Sequence, residues 1–300
     1  IGRHLDLQPF AKGVPAALAA MESADSPQKR AGQGVTAARA IMTTDTVPKH
    51  GAVRFEGDEV GYPGAVFTIG GMAKGSGMIM PNMATMIAVL TTDAPVLGCD
   101  LADALRCAVD ASFNRVTVDS DTSTNDTCFL LASGQAAPNA APMRPGSAAF
   151  ALFQQALGAL CVRLARAMAK DGEGATRLVE VTVRGAATDA DADAAARSVA
   201  NSPLVKTAIA GRDANWGRIA AALGKSGARF RQEDVDIRIM GLDVCRAGLA
   251  VPFSEEEALA RFEQPEISIE ADLHAGPAQA TVWTCDLTHD YIAINGDYRT

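Results

Sequence analysis

The sequence predicts an α+β fold, a layered arrangement of helices packed on largely antiparallel or mixed sheets. Three observations lead there. Short apolar or alternating runs suited to strands are interleaved with longer stretches of helical periodicity. Their order lacks the strict strand-helix-strand repetition of a doubly wound parallel sheet. Hydrophobic residues make up 48% of the 300 positions, enough for one large core or two smaller ones.

The elements follow in chain order. Residues 14–42 are rich in Ala and Gly, and "AARAIM" (37–42) runs into "TTDT" (43–46) and Pro48, a helical or apolar segment giving way to a turn. "AVFTIGGMAKGSGM" (65–78) reads as a strand breaking into glycines, and "TMIAVLTT" (85–92) as a strand covered on both faces. In "DLADALRCAVDASF" (100–113), Leu101, Leu105, Val109 and Phe113 recur at helical spacing behind Asp100 as N-cap. "RVTVDSDTSTNDTCFLLAS" (115–133) reads as strand, polar loop, strand. Phe153, Leu157, Leu160, Leu164 and Met168 stripe a helix over 149–170, which "DGEG" (171–174) stops. "LVEVTVR" (178–184) alternates like a strand with one covered face, and 189–202 favours helix up to Pro203. Further strands are expected at 234–240, 266–273, 280–287 and 291–294, and "SEEE" (254–257) is a capping box before a short helix. There is no internal repeat and no low-complexity linker.

Composition narrows the function. Asp and Glu number 35 against 27 Lys and Arg, a net charge of −8 with no basic cluster, so neither nucleic acid nor an anionic membrane is an expected partner. No apolar run of membrane-spanning length and no signal peptide is read, so small-molecule partners and a cytoplasmic setting are expected. Cys99, Cys107, Cys128, Cys161, Cys245 and Cys285 are scattered without a C-x-x-C pair and are expected to be buried, reduced thiols. His4, His50, His274 and His289 have no ligand spacing, so no metal is expected. The chain begins at Ile1 rather than Met, and an upstream segment is expected to have been removed, processed or left out.

Candidate motifs cluster between residues 43 and 126. "GGMAKGSG" (70–77) places its glycines after Lys74, the reverse of a phosphate loop, and reads as a glycine turn with a solvated lysine. "DSDTSTND" (119–126) lacks the glycine and the terminal glutamate of a calcium loop and reads as a polar loop with Asx turns. Met78, Met80, Met83 and Met86 read as core filler. Thr85 opens a strand behind the small residue Ala84. A cut between them would expose a threonine hydroxyl next to an α-amine of pKa about 7.7–8.0, nucleophile and base from one event. Spacing alone favours a plain strand-initiating threonine.

Whole strings go further. "GGMAKGSGMIMPNMATMIAVLTTDA" (70–94) closely resembles the self-cleaving segment of the ornithine acetyltransferase family, the bifunctional glutamate N-acetyltransferase/amino-acid acetyltransferase of arginine biosynthesis. "ARAIMTTDTVPK" (38–49), "FNRVTVDSDTSTNDT" (113–127), "AKDGEGATRLVEVTV" (169–183), "NSPLVKTAIAGRDANWGRI" (201–219) and "CDLTHDYIAINGDYRT" (285–300) resemble the same family in the same order.

The resemblance implies an α/β layered sandwich and a cut between Ala84 and Thr85, giving an α chain ending at residue 84 and a β chain over 85–300. Thr85 then takes the acetyl group of N-acetylornithine and passes it to glutamate. Thr43, Lys74, Thr85, Glu173, Asn295 and Thr300 are the implied substrate contacts. Lys74 suits a substrate carboxylate, Glu173 an amino group, and Asn295 and Thr300 neutral hydrogen bonds. Which of Thr43, Thr44 and Thr46 makes the contact stays open.

No cofactor is implied, though acetyl-CoA is a possible co-substrate, and an assembly of two α and two β chains is suggested. The family's oxyanion Thr-Gly pair precedes the segment resembling "IGRHL" (1–5), so the chain is expected to lack the N-terminal part. An oxyanion donor is worth ~10²–10³ in rate. The alternatives are an N-terminal-threonine amidohydrolase and an inactive, amino-acid-binding remnant.

Overall fold

The computed structural model of the protein describes residues 4–80, 86–122 and 125–297. The Ala- and Gly-rich start forms two helices, α1 (Gln8–Glu22) and α2 (Pro27–Ala40). Both carry a proline in the first turn, where its missing N–H leaves no gap, and Ser26 caps α2 by accepting the Lys29 amide. They lie on the outside: α1 buries no residue and α2 only Ala38.

A four-stranded sheet follows, in the order β1 (Lys49–Glu56), β2 (Val66–Lys74), β3 (Ile87–Thr92) and β4 (Thr127–Ala132). β1, β2 and β3 are antiparallel neighbours, whereas β3 and β4 are parallel and joined through α3 (Gly98–Asp110). Register puts Lys74 opposite Ile87 and Ile87 opposite Thr127. The end of β2 and the starts of β3 and β4 therefore meet in one row.

α4 (Ala148–Lys170) lies across this sheet and reaches the edge of a second one. Ser147 caps it through the Phe150 amide, and the stripe Phe153, Leu157, Leu160, Leu164 and Met168 is buried as its periodicity predicts. Its 23 residues, with a mean hydropathy of 1.5 over an 18-residue stretch, are long and apolar enough to cross a membrane, correcting the expectation that no run is; half of that stretch is buried inside the fold.

The second sheet contains β5 (Leu178–Ala186), β6 (Asp236–Ile239), β7 (Leu242–Arg246), β8 (Leu249–Ala250), β9 (Glu266–Asp272) and β10 (Ala278–Cys285), in the order β10-β5-β9-β6-β7-β8. Among the described strands of this sheet, β5 and β9 pair in parallel and the other neighbours antiparallel. One face is covered by α5 (Asp189–Ala200), α6 (Pro203–Ala210), α7 (Trp216–Gly224) and α8 (Glu255–Arg261), and Ser254 caps α8 through the Glu257 amide as the capping box predicts. The predicted α+β class with mixed sheets holds, with one apolar core per sheet.

Four local expectations are corrected. Residues 291–294 are not a strand but the middle of α9 (His289–Asp297), begun where Thr288 Oγ1 accepts the Asp290 amide. Four apolar residues have no readable period, and here no neighbouring strand takes them up. The N-cap position of α3 is Leu97, not Asp100, which instead places its carboxylate in the first turn. Residues 115–118 contribute only a bridge from Val116 to Trp283 rather than a strand. Cys99 and Cys107 are exposed, because α3 turns Ala104 and Ala108 to the core instead, and Cys128, on β4, is half-buried.

Candidate active site

The "TTDT" turn is held by a buried ion triad. Lys49 Nζ lies 2.6 Å from Asp45 Oδ1 and 2.5 Å from Asp171 Oδ2, all three side chains at most 7% exposed. The excess negative charge is met by N–H donors. Asp45 accepts from the Thr43 and Gly75 amides at 3.1 and 2.8 Å, and Asp171 from the amides of Thr46 and Val47 and from the Thr46 hydroxyl. Burial would push the Asp45 carboxyl up, but the Gly75 N–H and Lys49 outweigh it and hold the group below its ordinary value. Thr44 Oγ1 is 2.6 Å from Ser76 Oγ. Of the three threonine hydroxyls left open by the sequence, those of Thr44 and Thr46 are thus engaged and that of Thr43 has no partner among the described residues.

Asp171 caps α4, and the three residues after it cross to the glycine loop. The Glu173 amide donates to Ser76 O at 2.9 Å, and the Glu173 carboxylate lies against the Cα of Gly77. Asn295 Nδ2 donates to Glu173 Oε2 at 2.8 Å and to Tyr291 O at 3.1 Å. Tyr291 in turn donates its hydroxyl to Asp119 Oδ2 at 3.3 Å, and Asp119 accepts the Met78 and Ile79 amides at 2.6 and 3.0 Å. Burial first, then the Asp119 charge, pushes the Tyr291 phenol up. Gly174 closes the turn at φ +69, with α9 pressed against its Cα.

At the row where the strands meet, Lys74 is 8% exposed and its ammonium makes no hydrogen bond or ion pair among the described residues. This corrects the reading of a solvated lysine. Asp126, two strands away, accepts the Met86 amide through Oδ1, while its buried Oδ2 has no hydrogen-bond partner among the described residues. Burial pushes the Asp126 carboxyl up to about 6, against the Met86 N–H and the Lys74 charge, which pull it down.

The structure thus gathers Thr43, Lys74, Glu173 and Asn295 around residues 74–77. Ala84, Thr85 and Thr300 lie outside the described residues. Sequence reasoning missed Asp45, Lys49, Ser76, Asp171, Asp119, Tyr291 and Asp126. The acidic string "DSDTSTND" was the available signal, and its Asx-turn reading is half right: Asp119 does accept the Asp121 amide, yet its other partners are far off in sequence. Among the described residues no group of three or more His, Cys, Asp or Glu could hold a metal ion.

A two-sheet α/β fold with a buried lysine unpaired among the described residues at a strand junction, carboxylates beside it and the Thr43 hydroxyl in the neighbouring turn defines an enzyme with a charged small-molecule site. A model of the ArgJ family matches residues 1–300, and the chain belongs to that family. It is 52% identical over its full length to an arginine biosynthesis bifunctional protein of Symbiobacterium thermophilum, covering 71% of that protein, and 44% identical to one of Geobacillus kaustophilus, covering 70%. The crystal structure of the Bacillus halodurans arginine biosynthesis bifunctional protein superimposes with a TM-score of 0.67 at 44% identity, covering 70% of this chain and 98% of that one.

Proposed function

We propose that the protein moves an acetyl group from N2-acetylornithine to glutamate through an ester on Thr85, after the chain cuts itself between Ala84 and Thr85. The cut separates an α chain ending at Ala84, of which 1–84 are a part, from a β chain over 85–300, assembled as two of each. The carrying observation is Lys74, a buried cation without a partner among the described residues, in register with Ile87, two residues beyond Thr85. An ammonium withdrawn from water is unfavourable unless an anion arrives, and the α-carboxylate shared by both substrates is such an anion. The Thr43 hydroxyl, without a partner among the described residues, and the Glu173–Asn295 pair supply further polar contacts, with Thr300 as the remaining one. The proposed setting is the cytoplasm, with acetyl-CoA as a possible second donor and no bound cofactor.

Transfer proceeds in two steps. The Thr85 hydroxyl attacks the acetamide carbon with the new α-amine as base, ornithine leaves, and the glutamate α-amine then attacks the ester. Mass spectrometry of the full-length protein should find the two pieces, the β piece gaining one acetyl group with N-acetylornithine. Thr85→Ala should stay whole and inactive. Omitting glutamate tests water as acceptor: acetate freed as fast without glutamate as with it identifies an amidohydrolase, and binding without any acetyl-enzyme identifies an inactive amino-acid binder. An uncut, fully active chain overturns the reading.

A further inference from the structure

Asp126 is a carboxylate with one oxygen fixed and one left over. Its Oδ1 is held by the Met86 amide at the entrance of β3, and the Thr127 amide beside it donates to Met86 O at 2.9 Å, so the backbone around it is fixed by the β3–β4 ladder. Oδ2 is buried without a donor among the described residues. Lys74 stands in the same row, opposite Ile87 and through it Thr127, and its charge acts on Asp126 although no ion pair joins them among the described residues. A buried cation and a buried carboxylate oxygen in one strand row, neither paired among the described residues, leave both needing a partner between them.

An α-amino acid bridges such a pair by construction. If its carboxylate is on Lys74, its α-nitrogen is one carbon away and is the group that can meet the remaining Asp126 oxygen across the β2–β3–β4 row. In the proposed exchange this nitrogen is the atom that is released in the first half and attacks in the second. We propose that Asp126 is the proton carrier between the halves, giving a proton to the departing α-nitrogen and recovering one from the entering α-ammonium. The inference rests on the acetyl-transfer reading.

The protons balance without outside acid or base. As the ester C–O bond forms and the amide C–N bond breaks, the Thr85 hydroxyl proton ends on the departing nitrogen, leaving a neutral amine. The Asp126 carboxyl donates a second proton, and ornithine leaves as an ammonium while Asp126 becomes a carboxylate. Glutamate enters as an ammonium, returns one proton to Asp126, and attacks as a neutral amine; its other displaced proton goes to Thr85 Oγ as the ester opens. A carboxyl shifted up to about 6 is suited to hold either form.

The test is single-turnover kinetics of each half-reaction on the full-length protein, from about pH 5 to 9, with Asp126→Asn alongside. In the wild type, acylation should lose rate on the alkaline side as Asp126 deprotonates, while deacylation should lose rate on the acid side. Asp126→Asn keeps an acceptor for the Met86 amide but carries no proton. It should keep KM for N-acetylornithine, lose ~10²-fold in both rates, lose the alkaline limb of acylation, and regain rate with added formate. Variant rates within about threefold of wild type, or wild-type limbs that run in parallel, overturn the proposal. Should the variant not fold, the wild-type limbs decide. Absence of an acetyl-enzyme in the wild type overturns the acetyl-transfer reading itself; its presence with parallel limbs overturns only the role of Asp126.

Discussion

Gly77 has no room for a side chain: a Cβ there would stand 2.3 Å from the Glu173 carboxyl carbon. The obstacle is the end of a flexible side chain, so Gly77→Ala should fold normally and move Glu173 off its bond with Asn295. Losing one charged contact predicts a rise of about tenfold in KM for N-acetylornithine with an unchanged melting temperature. An unchanged KM would remove Glu173 from the substrate contacts. At this scale the sequence showed which residue types were present but not which were occupied. Three hydroxyls stood in "TTDT" without distinction, and only their partners, Ser76 and Asp171, separate Thr44 and Thr46 from Thr43.

Among the elements, β2, β3 and β4 were legible because period and composition are local. Their register was not, and it is register that puts Lys74, Met86 and Asp126 at one junction. The helix α9 shows the converse failure, a short apolar run given the wrong type. Its seat depends on Gly174, at φ +69 with the Tyr291 amide nitrogen 2.5 Å from where a Cβ would be. Here backbone, not a movable side chain, is in the way. Gly174→Ala should cost about 1–3 kcal/mol, and hydrogen exchange at 289–297 should speed up together with loss of activity. Unaltered exchange there would mean that α9 is seated by other contacts.

For the whole molecule, the Asp45–Lys49–Asp171 triad ties the turn before β1 to the end of α4, across more than a hundred residues of chain. Removing its cation leaves two carboxylates buried together, so Lys49→Met should lose about 3–5 kcal/mol in denaturant unfolding. A loss under 1 kcal/mol would show that the amides alone suffice. Asp45 is held below its ordinary value in the fold, so it stabilises the protein above its unfolded pKa of about 3.9. That contribution falls away as pH drops through the lower folded value, and acid unfolding below about pH 4 should be less steep in Asp45→Asn. By itself the sequence determined the class of fold, the main helices and strands, and the family resemblance carried by long strings, because period, capping and motif identity are properties of neighbouring residues. The tertiary structure decided what is buried and what is paired among the described residues: Lys74 withdrawn from solvent, Asp126 with one oxygen lacking a donor there, Glu173 set against Gly77. Those states depend on what the fold brings in from distant strands and helices, and burial acts on a charge only once its neighbours are in place.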